Sequence, residues 1–253
     1  MLHVLLEVGT AAALITFLLA CWTYGTRQGR KIGARLSENP QLGMLQGAIL
    51  GILGLLLAFC FGGALHRFVE SQRGLVDEAN AVTTLFDRAS LLDDDNRDQV
   101  RSVLREYIAK RLELFELSGL QSEHRQLSDL RRLLDRLWNN VRVGILSRPQ
   151  YSEILADAYA AVSDELEVRN AKANRHTPIF VMFLLIACAA ASIVSIGYGV
   201  ELPDQTLRQP ALTLIVLIAA ALWATIDMDY SRTGLIQLDS GPLRRAAAFI
   251  APQ

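Results

Sequence analysis

Apolar residues gather into four long runs, at about 4–24, 44–65, 179–200 and 211–226, while the stretch between the second and third runs mixes apolar and charged positions at helical spacing. A hydrocarbon core takes roughly 20 residues of helix, so the pattern predicts four membrane spans. Glu7 interrupts the first run near its start, where a carboxylate suits a helix N-terminus at the interface. The late turns of the third run are rich in Ala, Ser and Gly, a composition suited to close packing against a neighbour. The fourth run is the shortest, which implies an upright span or a locally thinned bilayer.

The second run does not stop at the membrane. No proline breaks residues 43–91, and Phe68, Val69, Leu75, Val76, Ala79, Val82, Leu85, Phe86 and Ala89 mark an apolar face, with Arg67, Glu70, Gln72, Arg73 and Asp77 between them. This predicts one helix roughly 70 Å long, a bend at Gly62 and Gly63 or at Gly74 being the alternative. Inside the span, Gly43, Gly47, Gly51 and Gly54 fall on one stripe that lets another backbone approach closely. Two readings stay open for that stripe: ordinary helix packing, or copies of the helix arranged around an axis.

Beyond it, the acidic run Asp93, Asp94 and Asp95 with Asn96 supplies N-caps and a dipole-matched first turn for a helix at about 97–117. A calcium loop would need alternating ligands, a glycine and a terminal glutamate, which this run lacks. Val100, Val103, Leu104, Tyr107, Ile108, Leu112 and Phe115 form the core face of that helix. Ser118 and Gly119 break the pattern. A helix at about 123–146 buries Leu127, Leu130, Leu134, Leu137, Trp138 and Val141, and one more follows Pro149 with Ile154, Leu155, Ala158, Tyr159, Val162 and Leu166 inward. The expected organisation is all-α: a transmembrane hairpin over 1–65, a soluble helical bundle over 66–177 continuous with the second span, a second hairpin over 178–227, and a C-terminal tail over 228–253. That tail reads as a strap on neighbouring subunits.

Composition agrees with this pattern. The chain is 51% hydrophobic with a net charge of −1, too apolar for an ordinary soluble protein and without the basic excess that nucleic acid requires. Its three cysteines, Cys21, Cys60 and Cys188, all lie in spans, so neither a disulfide framework nor a thiolate metal site is indicated. Leu18-Leu19-Ala20-Cys21 is similar to a lipoprotein cleavage box, but no Lys or Arg precedes the run, and the first span is read as retained, anchored by Trp22 and Tyr24. Arg27, Arg30, Lys31 and Arg35 make the connector at 25–40 basic, as beside lipid phosphates. The four histidines, His3, His66, His124 and His176, are scattered, and no phosphate loop, zinc motif or nucleophile–base pattern is present, so the chain is not read as an enzyme.

Arg67-Phe68-Val69-Glu70 and Glu78-Ala79-Asn80 resemble the second-span region of bestrophin-family channels, and more closely that of the bestrophin-like domain proteins of bacterial membranes. A second match, Asp227-Met228-Asp229-Tyr230-Ser231-Arg232-Thr233-Gly234, resembles the acidic segment after that family's last span. The resemblance implies a homo-oligomeric, pentameric ion channel in the cell (inner) membrane of a bacterium, with the bundle cytoplasmic and lipid and monovalent ions as its partners. The basic first connector argues for the opposite side. By the same resemblance Gly51, Leu55 and Phe59 fall on an apolar neck; spaced four and four, they share one helix face and would gate by dewetting. Gly51 replaces a bulky residue and Cys60-Phe61-Gly62 a polar segment, so the sign of the conducted ion stays open. Asp227 and Asp229 stand where the family's animal members hold calcium, although a turn in which they cap nearby amides is the favoured role. A second function class is a non-conducting scaffold or sensor whose bundle binds a partner protein.

Overall fold

A computed structural model describes residues 2–32, 40–116, 123–173, 177–199, 205–229 and 235–252. Among them the secondary structure is helical, in eight α-helices: α1 (Leu2–Ile32), α2 (Pro40–Arg88), α3 (Asp94–Glu116), α4 (Glu123–Ser147), α5 (Ser152–Ala173), α6 (Ile179–Gly199), α7 (Gln205–Asp229) and α8 (Gly241–Ile250). The expected break at Ser118 and Gly119, the connector residue Arg35 and the motif residues Tyr230 to Gly234 lie outside the described residues. The chain divides into two compact units, Met1–Phe68 with His176–Gln237, and Val69–Arg175 with Leu238–Gln253.

The first unit holds the apolar helices. Four helices are long and apolar enough to cross a membrane, their spans being Val8–Lys31, Gly43–Leu91, Ile179–Tyr198 and Gln209–Asp229. α1, α2, α6 and α7 share a core of Leu18, Leu53, Leu185, Ala189, Ile193, Ile215, Ala219 and Leu222. Two expectations are corrected here. The first helix runs past the apolar segment at 4–24, through Arg27, Arg30 and Lys31 of the basic connector to Ile32, and Gly25 lies inside it as a contact residue. A Cβ at Gly25 would run into the backbone carbonyl of Val194 on α6, one at Gly29 would lie 2.7 Å from the carbonyl of Tyr198, and one at Gly197 would lie 2.8 Å from that of Trp22. Gly25, Gly29 and Gly197 are therefore what lets α1 and α6 cross backbone to backbone, the contact small residues make between apolar helices. The fourth span is also longer than 211–226: Pro210 sits inside α7, within its first two turns, so the helix is long enough to cross without thinning the bilayer.

The second unit is a bundle with the helical period legible in its sequence. Leu75, Val82 and Leu85 of α2 pack with Val100, Leu104, Tyr107 and Ile108 of α3, Leu130, Leu137 and Val141 of α4, and Leu155, Val162 and Leu166 of α5. The α-helix of α2 closes in a 3-10 turn at Ala89–Leu91, and α3 starts after Asp93. Asp93 stands just before α3: its backbone carbonyl accepts from the Arg97 backbone amide at 2.9 Å, and its carboxylate accepts from two side chains, the Ser147 hydroxyl at 2.9 Å and Asn96 Nδ2 at 2.8 Å. These bonds hold the Asp93 carboxyl below the usual carboxylate range, the Ser147 hydroxyl being the largest cause. A carboxylate depressed on folding stabilises the fold above its ordinary pKa and loses that contribution as pH falls through the lowered value. Ser147→Ala is accordingly expected to move the Asp93 titration upward toward the ordinary range, read by carbon-13 NMR of the carboxyl group; an unchanged midpoint would show that the hydroxyl does not act on it.

The tail brings α8 into this unit. Leu243, Ala246 and Ile250 are buried in the bundle core against α3 of the same chain, so this part of the tail packs on its own chain. Gln72 clasps the approach to α8 with both ends of its side-chain amide, donating to the Asp239 carbonyl at 3.1 Å and accepting from the Asp239 amide at 2.8 Å. Arg105 donates to the Ile250 carbonyl at 2.6 Å, which satisfies a backbone acceptor at the end of α8. The rings of Phe86 and Phe249 meet edge to face at 6.3 Å.

Candidate functional site

Within the spanning part of α2 the two sides of the helix have different surroundings. Leu53 is 2% exposed, Ala64 is buried, and Leu50, Leu57 and Cys60 pack against the same apolar core. On the other side Leu55 is 59% exposed and Phe59 is 71% exposed. Among the described residues, Gly43, Gly47, Gly51 and Gly54 have no atom of another element within 4 Å of a would-be Cβ, so there the glycine stripe has no packing partner. The neck residues Gly51, Leu55 and Phe59 thus lie together on a face of α2 that the chain's own fold leaves uncovered.

Polar contacts hold the covered side. Gln46, the one strongly polar residue of the second apolar run, donates to the Ser195 carbonyl of α6 at 2.6 Å. Arg67 donates through Nε and Nη2 to Asp229 Oδ1 at 3.1 and 2.6 Å, and through Nη2 to Thr177 Oγ1 at 2.6 Å. Asp229, whose side chain is 3% exposed, also accepts from the Thr177 amide at 3.0 Å and from its hydroxyl at 3.1 Å. One carboxylate therefore ties the end of α7 to α2 and to the residue that leads through Pro178 into α6. Asp227 is buried at 1% exposure and caps backbone, accepting from the amides of Leu235 and Ile236 at 2.9 and 2.7 Å.

These bonds decide what Asp227 and Asp229 can hold. Calcium takes six to eight oxygen ligands, and here one carboxylate caps two amides while the other is paired with a guanidinium already in place. No group of three or more His, Cys, Asp or Glu side chains gathers to hold a metal among the described residues. The described residues at this position do not fit a calcium ion.

The remaining motif residues divide between surface and core. Phe68 and Glu70 are half-buried and Asn80 is exposed. Glu78 is 1% exposed in the bundle, where Oε1 accepts from the Tyr107 hydroxyl at 2.8 Å and from Arg111 Nε at 2.6 Å, and Oε2 accepts from Arg111 Nη2 at 2.7 Å. Arg111 is as deeply buried as its partner. Burial, and after it the Glu78 carboxylate, push the Tyr107 phenol well above its ordinary range, which keeps it a neutral hydrogen-bond donor. The sequence reading missed Arg111. The available signal was a charge standing on the apolar stripe of α3 between Ile108 and Phe115, opposite a second charge on the apolar stripe of α2.

Comparisons with known proteins agree with the geometry. A family model described as Bestrophin-like domain matches residues 11–243. The fold is similar to crystal structures of a bacterial bestrophin homolog from Klebsiella pneumoniae. For a variant with a tyrosine-to-alanine substitution the TM-score is 0.71 at 14% identity, covering 94% of this chain and 97% of that one. For a variant with a tryptophan-to-alanine substitution it is 0.62 at 12% identity, covering 94% and 96%. No curated protein sequence matches the chain. With its four apolar helices, its shared fold and a family match over most of its length, the chain belongs to the Bestrophin-like domain family.

Proposed function

We infer that the protein is a homo-oligomeric ion channel of the cell membrane, pentameric by its likeness to bestrophins, with a pore lined by α2 and a neck at Gly51, Leu55 and Phe59. The observation that carries this reading is the uncovered face of α2. Lipid alone gives a helix no reason to keep a stripe of glycines, since tails pack against Leu as well as against Gly; small residues serve the close approach of another helix. On that face Gly43, Gly47, Gly51 and Gly54 meet no other element among the described residues, while Leu55 and Phe59 project beside them. Copies of α2 around a common axis would cover the glycines and turn the Leu and Phe side chains into apolar rings, which close a narrow pore by excluding water. The same reading places the bundle on the cytoplasmic side and monovalent ions in the path.

The test is ion flux in proteoliposomes holding the purified protein, with K⁺ or Cl⁻ as the only permeant ion. Leu55→Ala and Phe59→Ala are expected to raise the flux several-fold over the unaltered protein by widening the apolar rings, and the ion that moves gives the sign of the selectivity. Silence from all three proteins, with oligomers intact by light scattering, would instead favour a membrane scaffold whose bundle binds a partner.

A further inference from the structure

At 3.6 residues per turn, Gln46 and Leu55, nine residues apart, lie on opposite sides of α2. Leu53 and Cys60, seven and fourteen residues beyond Gln46, share its side and face the core. Arg67 is another seven residues on, near the same line, and it reaches Asp229 and Thr177. Two polar anchors therefore stand on one edge of the spanning part of α2, at its two ends, and both bind partners on other elements.

What lies between the anchors holds the rotation of the helix weakly. The core side of α2 offers leucines and a cysteine, and the open side offers leucines, a phenylalanine and glycines. Apolar side chains of similar size exchange places at small cost, and within a bilayer no hydrophobic term favours one leucine over another facing inward. A guanidinium is different: turned away from Asp229 it would meet hydrocarbon or headgroups, and it would leave a carboxylate 3% exposed without its cation. Within the span the polar cost of turning stands at Gln46 and Arg67; beyond Arg67 the same helix runs on to residues buried in the bundle core, Leu75, Glu78, Val82 and Leu85, so a turn of the span alone is taken up between Arg67 and Leu75.

We propose that Arg67, through Asp229 and Thr177, and Gln46, through the Ser195 carbonyl, are positioning residues that fix the rotation of the spanning part of α2 and so decide which of its faces stays uncovered. This rests on the channel reading for its functional meaning, since it assigns to Arg67 the task of keeping Leu55 and Phe59 turned toward the axis. The rotation itself can be measured without any flux.

The experiment is spin-label accessibility in bilayers of the full chain, with Cys21 and Cys188 replaced by alanine. One label sits on Cys60 and reports the core side; a second, on Leu55→Cys with Cys60 also replaced, reports the open side. With Arg67 intact, the label at 60 is shielded from both molecular oxygen and a water-soluble nickel chelate, and the label at 55 is open to one of them. In Arg67→Gln, access at 60 is expected to rise several-fold while access at 55 falls, and the charge exchange Arg67→Asp with Asp229→Arg is expected to return both toward their starting values. Arg67→Lys keeps the charge but loses the two-nitrogen grip, so it gives a partial shift and serves if Arg67→Gln does not fold. An unaltered pattern at 60 and 55 in a folded Arg67 variant would overturn the assignment. The channel reading stands or falls separately, on the flux of Leu55→Ala and Phe59→Ala, while the change at 60 decides the rotation.

Discussion

Arg111→Met is expected to cost the protein about 3–5 kcal/mol, the penalty of leaving one member of a buried ion pair without the other. Glu78 and Arg111 are each 1% exposed and are joined by two parallel hydrogen bonds of 2.6 and 2.7 Å. Methionine fills most of the space of the arginine stem, so little of the loss comes from a cavity. The Glu78 carboxylate would keep only the Tyr107 hydroxyl of the three bonds described for it at 2.6–2.8 Å. In a chain of 253 residues the penalty corresponds to a fall in Tm of roughly 6–20 °C, measured by circular dichroism on the full chain in detergent. The companion variant tells a pair from a mere contact. Glu78→Leu combined with Arg111→Met removes both charges, and an apolar replacement of a buried pair is close to neutral or stabilising by about 1–4 kcal/mol. The double variant should therefore regain most of the lost Tm. A double variant as unstable as the single one would show that volume, and not the orphaned charge, sets the cost.

The second large effect is expected where α1 and α6 cross. Gly25→Ala places a methyl group against the Val194 carbonyl and 3.1 Å from the Cα of Gly197. The obstacle is backbone on a packed helix, so the helices must separate; overpacking of this kind costs about 1–3 kcal/mol and sometimes more. Gly25→Ala should fall at the upper end of that range, and Gly25→Leu should prevent the protomer from folding, seen as loss of the monodisperse peak in size-exclusion chromatography. Gly47→Leu is the contrasting change. Nothing lies within 4 Å of Gly47 in the protomer, so the helices should pack as before, while self-association weakens if α2 faces its own copies. Equal damage from Gly25→Leu and Gly47→Leu would mean that the glycine stripes of α1 and α2 do the same work.

Much of this was legible in the sequence wherever periodicity alone decides. The run from the second span into an amphipathic helix has no proline and an unbroken apolar face, and the structure keeps it as one helix, α2. The helices α3, α4 and α5 follow their apolar stripes, except that Trp138 and Ile154, read as inward, are exposed. What the sequence hid depends on a partner far along the chain. Nothing in the sequence singles out Gly25 and Gly29, and only the carbonyls of Val194 and Tyr198 show that they are contacts. The apolar run at 211–226 does not show that α7 begins before Pro210, whose missing amide bond is tolerated early in the helix. Arg111 breaks the pattern of its own helix and makes sense only once Glu78 is placed opposite it. The candidate neck residues were found through a resemblance; the uncovered face that supports the reading could not be seen in one dimension, because it is defined by what the other spans do not touch.

The place of α8 bears on the order in which the molecule can be made. Leu243, Ala246 and Ile250 complete a core whose other members begin at Leu75, and both spans of the second hairpin lie between them in the sequence. A domain usually folds as its chain leaves the ribosome, N-terminal part first. Here the bundle must wait, with part of its apolar surface open, until α6 and α7 have been synthesised. The first unit is interrupted in the same way, its α1 waiting for α6. Neither half of the protein is finished before the other has begun, so a stop anywhere between Val69 and Leu222 leaves two incomplete cores and not one complete domain.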